Sequence, residues 1–176
     1  QAVTLRTAGF NSLDLTQVSQ ATLFFMMVWM FIGGCSAGTA GGIKVNTVVL
    51  LLLSLRTKLS SREDVEVFGR SIHQTTVQRA YVILIAALFF LFLGFFSLLV
   101  AYPNLSFSRL LFEATSALGT VGLSLDTTTQ LGGFGKAVLI VMMFAGRIGP
   151  LTVALAIGHK KAVGQYSFPR ERMQVG

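Results

Sequence analysis

Apolar residues along this chain fall in runs of unequal length, separated by stretches rich in glycine, hydroxyls or charge. Residues 1–20 are mixed, show no strong period and read as loop. Thr22 to Ile32 is apolar, but as a helix it reaches only about 17 Å, short of a membrane core of about 30 Å. Gly33 to Gly42 then holds five glycines in ten residues, and each costs a helix about 1 kcal/mol relative to Ala. The apolar pattern resumes from Val45 to Leu55. The spacing predicts one membrane crossing broken in its middle by a glycine-rich loop. Arg56 to Arg79 is a hydrophilic connector, in which Ser60 or Ser61 is placed to cap a short helix. Ala80 to Ala101 is 22 residues without charge, about 33 Å of transmembrane helix ended by Tyr102-Pro103-Asn104. Ser106, a plausible N-cap, opens a run to Leu118 of about 20 Å, a re-entrant length. After the polar stretch Asp126 to Gln130, Lys136 to Gly158 forms the next crossing, interrupted by Arg147 and Gly149-Pro150. The fold class expected is an all-α membrane protein.

Composition supports that class. The 176 residues are 53% apolar and 12% charged, against roughly 25% charged in a soluble domain. Eighteen Gly and 15 Phe with 3 Pro suit packed membrane helices. The net charge of +7 is concentrated. Arg56, Lys58, Arg62, Arg70 and Arg79 share the connector, and Lys160, Lys161, Arg170 and Arg172 the C-terminal end. The positive-inside rule places both on the cytoplasmic side. These charges flank apolar spans and are not interleaved with exposed aromatics, so a nucleic-acid partner is not expected. Cys35 is the only cysteine, which excludes an intrachain disulfide and a cysteine metal cluster. With no initiator Met and no signal-like start, Gln1 reads as the interior of a longer chain.

Ser116 to Ser124 lies at membrane depth, yet its small, hydroxyl and glycine residues do not continue a helix well. Irregular backbone there is tolerated only where protein buries it or water lines it. A loop of bare carbonyls in that position suits a dehydrated cation. Sliding the chain by 113 positions places Thr7 on Thr120, Gly9 on Gly122, Thr16-Gln17 on Thr129-Gln130, Val28 on Val141, Met30-Phe31 on Met143-Phe144, Gly33 on Gly146 and Thr39 on Thr152. Thr7-Ala8-Gly9-Phe10 and Thr120-Val121-Gly122-Leu123 then become equivalent loops. Two such loops suggest a ring of carbonyls around an axis, with glycine supplying the φ > 0 that turns carbonyls inward. The re-entrant helix would aim the negative end of its dipole at the ion.

These stretches resemble the Trk/Ktr/HKT superfamily of potassium transporters, and within it the Ktr-type membrane subunit. The resemblance is carried by Arg6-Thr-Ala-Gly-Phe-Asn11, Gly33-Gly-Cys-Ser-Ala-Gly-Thr-Ala-Gly-Gly-Ile-Lys44, Phe112-Glu-Ala-Thr-Ser-Ala-Leu-Gly-Thr-Val-Gly-Leu-Ser124 and Met143-Phe-Ala-Gly-Arg-Ile-Gly-Pro-Leu-Thr152. It implies four helix–pore-loop–helix repeats per subunit, with re-entrant pore helices and a broken inner helix. Residues 1–55 would end the third repeat, 56–79 form a cytoplasmic connector, 80–164 form the fourth repeat and 165–176 a cytoplasmic tail. It implies a potassium filter at the carbonyls of Thr7, Ala8, Gly9, Phe10, Thr120, Val121, Gly122 and Leu123. The gate implied below it comprises Gly33, Gly34, Ser36, Gly38, Thr39, Gly41, Gly42 and Lys44, with Arg147 narrowing the pore. The implied activity is potassium uptake across the bacterial cell membrane, with sodium dependence expected and no enzymatic step. No cofactor is implied beyond the transported ion, K⁺ or conceivably Na⁺. The implied partners are a second copy, a nucleotide-binding cytoplasmic regulator and membrane lipid.

Other readings stay open on the residues alone. The transported ion is sodium or a mixture of monovalent cations on one reading; on another, the chain is a non-conducting structural subunit. A mid-membrane arginine is costly and usually faces a cavity, so Arg147 either lines a pore or pairs with an acid such as Glu113. Gly33 to Gly42 is a mobile loop or a close helix-packing site. Gly34-Cys-Ser-Ala-Gly38 matches G-x-S-x-G, but a hydrolase elbow needs a preceding strand and a nearby His and acid. Ile43 and Val45 break a phosphate-loop reading of the same glycines. Glu113 sits inside the re-entrant helix, bonding amides behind the filter or pairing with a base. Asp14 and Asp126 either concentrate cations at the outer mouth or are solvated loop carboxylates.

Overall fold

A computed structural model describes residues 2–11, 14–35, 38, 40–60, 65–67 and 70–149. The apolar runs become helices whose ends follow local chemistry. Helix α1 (Gln20–Phe31) starts where the Ser19 hydroxyl accepts from the Thr22 amide at 3.3 Å. It stops at the glycine run, and α2 (Val45–Leu59) begins just beyond it. The two ends are stitched together. Ile32 and Ile43 form a parallel bridge, Gly33 N–H donates to Ile43 O at 2.8 Å, and Val45 N–H donates to Gly34 O at 3.1 Å. The predicted break in the crossing is therefore a loop with a closed neck, entering and leaving at one point.

The connector differs from expectation. Among the described residues Ser60 starts no helix but ends one: its N–H donates to Arg56 O at 3.0 Å and closes α2, which runs four residues past the expected Leu55. Ser61 lies outside the described residues. A hairpin follows, β1 (Val65–Val67) antiparallel to β2 (Arg70–Ile72), with Val65 opposite Ile72. Alternating Val-Glu-Val before Phe68-Gly69 suits a short strand pair better than a helix. The described residues are thus mainly helical, with this one short hairpin added.

Helix α3 (Gln74–Ala101) begins six residues before the expected Ala80 and spans 28 residues, about 42 Å. Among the described residues it is the one helix long and apolar enough to cross a membrane. Its outward face carries exposed Ile85, Phe89, Phe92, Phe96 and Val100, the surface a lipid-facing helix needs. Tyr102 closes it, donating its N–H to Leu98 O at 2.9 Å. The Tyr102 hydroxyl in turn accepts from the Gly132 and Gly135 amides at 2.9 and 3.2 Å, which caps α6 (Gly133–Ile148).

Between them sits α4 (Phe107–Leu118), preceded by Ser106 at the N-cap, whose carbonyl rather than side chain engages the first turn. It packs against α1 on one side and α3 and α6 on the other, and is buried throughout from Phe112 to Leu118. One apolar cluster joins Phe112 to Met26, Met27 and Met30 of α1; the other joins Leu110, Ala114 and Leu118 to Leu98, Leu139 and Met142. Small residues make this central position possible. A Cβ on Gly146 would coincide with the Leu118 carbonyl, and a Cβ on Gly119 would lie 2.6 Å from the Met30 carbonyl. Both flanking helices therefore touch the C-terminal end of α4 through bare backbone.

The offset of 113 reappears in the geometry. The 3-10 turn Leu15–Gln17 falls within α5 (Thr127–Gln130), and the start of α1 at Gln20 falls on the start of α6 at Gly133. Residues 1–20 hold ordered turns rather than plain loop. Ile148 ends α6 at Gly149, whose φ of +98° breaks the helix where the sequence predicted an interruption. Residues 150–176, including the far half of that crossing, His159-Lys160-Lys161 and the tail, lie outside the described residues.

Candidate functional site

The Thr-x-Gly turns carry the clearest signature. Thr7 and Gly9 both have φ of +67°, and Thr120 and Gly122 have +51° and +90°. Left-handed backbone is routine for glycine but costs a threonine about 1–2 kcal/mol. Two threonines accept that cost at positions exactly one offset apart. Thr7 Oγ1 and Thr120 Oγ1 are both buried and find no hydrogen-bond partner among the described residues. Thr127 Oγ1, at the start of α5, is a third such hydroxyl, so the signature of the turns is that two of the three sit at equivalent positions beside positive-φ glycines.

The turns face one another. A Cβ on Gly9 would lie 2.6 Å from the Val121 carbonyl oxygen, and one on Gly122 would lie 3.8 Å from Gly9 Cα. Their outer parts differ. Val121 and Leu123 are each 3% exposed and anchor the second turn in the core beside Phe112, whereas Phe10 is 76% exposed. The second turn leaves directly from α4, with Gly119 as the helix C-cap, so the negative end of that helix abuts Thr120.

The glycine-rich loop reaches the same place. A Cβ on Gly41 would collide with Thr120 Oγ1 and lie 3.0 Å from Gly119 O. A Cβ on Gly33 would overlap the Gly41 carbonyl. Gly42 adopts φ of +71°, and Gly34 has Ala40 within 2.8 Å of its Cβ position. Lys44, the residue before α2, donates to Gly38 O at 3.1 Å and to Ala40 O. It holds the loop by its carbonyls. Ser36 and Thr39 lie outside the described residues. Arg147 is exposed in the last turn of α6, where a cation suits the helix dipole, beside the Gly146 that touches Leu118.

Glu113 is buried and bonds three donors: the Ser124 hydroxyl, the Leu125 amide at 3.3 Å and the Thr128 hydroxyl at 2.9 Å. One of these donors is a backbone amide, as one reading of this acid expected, while the other two are hydroxyls and none is a basic side chain. Asp14 accepts from Gln17 Nε2 at 3.0 Å, and Asp126 adopts φ of +59° before α5. Cys35 is free and exposed, and no cluster of His, Cys, Asp or Glu suited to a metal occurs among the described residues.

A long helix with an exposed apolar face, a short buried helix ending in a polar turn, and a helix broken by a glycine-rich loop define a helical membrane protein. The TrkH family model, described as a cation transport protein, matches residues 1–164, and the chain belongs to that family. It is an integral protein of the cell membrane. It is 44% identical over 152 residues to the Ktr system potassium uptake protein B of Bacillus subtilis, covering 86% of this chain and 34% of that one. It is 37% identical over 180 residues to the potassium/sodium uptake protein NtpJ of Enterococcus hirae, covering 99% of this chain and 40% of that one. The chain thus spans well under half the length of these relatives. The crystal structure of the potassium transporter TrkH from Vibrio parahaemolyticus shares the fold, with a TM-score of 0.72 at 22% identity over 88% of this chain and 35% of that one.

Proposed function

We propose that this chain supplies two of the pore loops of a potassium-uptake protein, with conduction through the Thr-x-Gly turns and a gate formed by Gly33–Lys44. The observation that carries this is the matched pair of turns, facing each other with left-handed backbone and orphaned hydroxyls at Thr7 and Thr120. Oxygen atoms left without protein partners can replace the hydration shell of a monovalent cation. The carbonyls of Thr7 to Phe10 and Thr120 to Leu123 are the proposed ligands, arranged around one axis with further copies of the loop. Helix α4 is the pore helix of this reading, and residues 1–55 and 80–164 are parts of successive repeats joined by the cytoplasmic connector 56–79, with a cytoplasmic tail at 165–176.

Gating follows from the loop under Thr120. Its neck is fixed by the Ile32–Ile43 bridge, so the tip moves without unravelling α1 or α2. With Gly41 against Thr120, the loop closes the inner end of the turns. Ser36 and Thr39 complete the proposed gate by sequence position, and Arg147 adds a positive barrier to cations. The Ktr and NtpJ relatives bear potassium in their names, and NtpJ also bears sodium, which keeps a sodium or mixed-cation transporter as the second reading. Sodium dependence, assembly as a homodimer within the lipid bilayer and a nucleotide-binding cytoplasmic regulator belong to the same proposal; nucleic acid and organic cofactors have no part in it.

The test is growth at low potassium of uptake-deficient cells carrying the full-length gene. Rescue that is lost on Gly122→Leu, with the protein still in the membrane, supports the filter. Rescue unaffected by that change removes it. Deletion within residues 35–41 should raise ion flux; lower flux at normal abundance indicates helix packing instead of a gate.

A further inference from the structure

Glu113 is the single charged side chain among the buried described residues, 4% exposed in the middle of α4. Its carboxylate leaves the helix and meets the strand of chain that returns after Leu123. Oε1 accepts from the Ser124 hydroxyl and the Leu125 amide, and Oε2 accepts from the Thr128 hydroxyl. The Ser124 and Thr128 oxygens also lie 3.2 Å apart. Each hydroxyl has one proton to give, and the carboxylate, acceptor only, takes both together with an amide. Bonds of this charge-assisted kind are about twice as strong as neutral ones.

The consequence is mechanical. At its start the turn is fixed to α4, where Thr120 N–H donates to Ala117 O at 3.0 Å and Val121 N–H to Ser116 O at 2.9 Å. After Leu123 it is fixed to the same helix through Glu113. The stretch Thr120–Leu123 is therefore tied at both ends to one rigid element. The first turn lacks one of these donors. One offset back, Leu15 stands for Thr128 and Asn11 for Ser124, and Leu15 is a buried apolar residue with no side-chain donor.

We propose that Glu113 is a positioning residue for ion selectivity: by clamping Ser124, Leu125 and Thr128 it fixes the carbonyl spacing of Thr120–Leu123 and keeps that turn from collapsing around a smaller cation. This rests on the reading of the turns as a filter. A filter discriminates by the size and field of its oxygen cage, so a tethered wall favours the larger ion.

The experiment is uptake of rubidium and of sodium by liposomes containing the full-length protein, read as the ratio of the two. Glu113→Gln keeps the shape but sets an amide NH₂ against donors. It should lower the rubidium-to-sodium ratio about tenfold, the scale of one charge-assisted hydrogen bond. Thr128→Val removes one donor at constant shape and should lower the ratio less, whereas Thr128→Ser should retain it. If Glu113→Gln yields no folded protein, the two Thr128 variants carry the test. Unchanged ratios in Glu113→Gln and Thr128→Val, with uptake scaling only with protein amount, overturn the proposal. Gly122→Ala in the same assay separates the two levels. A ratio altered by Gly122→Ala but not by Glu113→Gln removes the clamp alone, and a ratio and uptake unaltered by Gly122→Ala remove the filter with it.

Discussion

Alanine at Gly9 and alanine at Gly122 are the same change at positions one offset apart, yet the structure expects unequal results. At Gly122 the added Cβ meets nothing closer than Gly9 Cα at 3.8 Å, so there is room. The penalty is conformational: holding alanine at φ of +90° costs about 1–2 kcal/mol. At Gly9 the same kind of penalty applies at φ of +67°, and the Cβ also falls 2.6 Å from the Val121 oxygen. Real Cβ atoms do not approach that closely, so either the first turn or the Val121 carbonyl must shift. Overpacking of this sort adds about 1–3 kcal/mol. The combined cost of Gly9→Ala is then about 2–5 kcal/mol, against about 1–2 for Gly122→Ala. Since 1.4 kcal/mol is tenfold in an equilibrium, Gly122→Ala should leave a turn that is native in a measurable share of molecules, and Gly9→Ala almost none. The assay is initial rubidium uptake by cells expressing full-length protein, normalised to membrane abundance. Gly9→Ala should lose at least ten times more uptake than Gly122→Ala. Equal losses, or a tolerated Gly9→Ala, refute the facing arrangement of the turns.

Three further outcomes follow from single contacts. Lys44→Met removes the donor to Gly38 O and Ala40 O, worth about 1–2 kcal/mol for partly exposed charged bonds, and should raise flux several-fold by freeing the loop; reduced flux contradicts a holding role. Tyr102→Phe removes the acceptor that caps the Gly132 and Gly135 amides and should cost about 1–2 kcal/mol, seen as a lower midpoint in a thermal scan of detergent-solubilised protein, with an unchanged midpoint counting against the cap. Arg147→Ala should alter flux without loss of membrane insertion, and identical transport kinetics would remove it from the pore.

Much of this architecture was legible because burial in a membrane leaves a coarse signal. The uncharged run from Ala80 to Ala101, the short run from Ser106 and the glycine-broken pair around Gly33–Gly42 all correspond to observed elements. Their ends were less legible. Polar Gln74 to Arg79 reads as connector by hydropathy, yet it continues α3, because a helix end at the membrane edge needs no apolar residue. Val65-Glu-Val67 and Arg70-Ser-Ile72 were masked by the charges around them, although their alternation and Gly69 marked a hairpin. At the site, the offset of 113 located Thr7, Gly9, Thr120 and Gly122 before any geometry was known. It gave no hint that the threonines themselves would adopt positive φ, since a β-branched residue is disfavoured there. Lys44 entered the gate only through the resemblance, and only the fold returns the Gly38 and Ala40 carbonyls to its side chain. The partners of Glu113 lie 11 to 15 residues ahead of it, beyond any helical period, so no pattern within α4 could reveal them.

The central claim is that the paired Thr-x-Gly turns form part of a potassium-selective path. Its most direct test is radioactive rubidium uptake into liposomes containing the full-length protein, competed with excess potassium or with equal sodium. Potassium should abolish the uptake and sodium should leave most of it. No uptake, or equal competition by the two ions, would contradict the account.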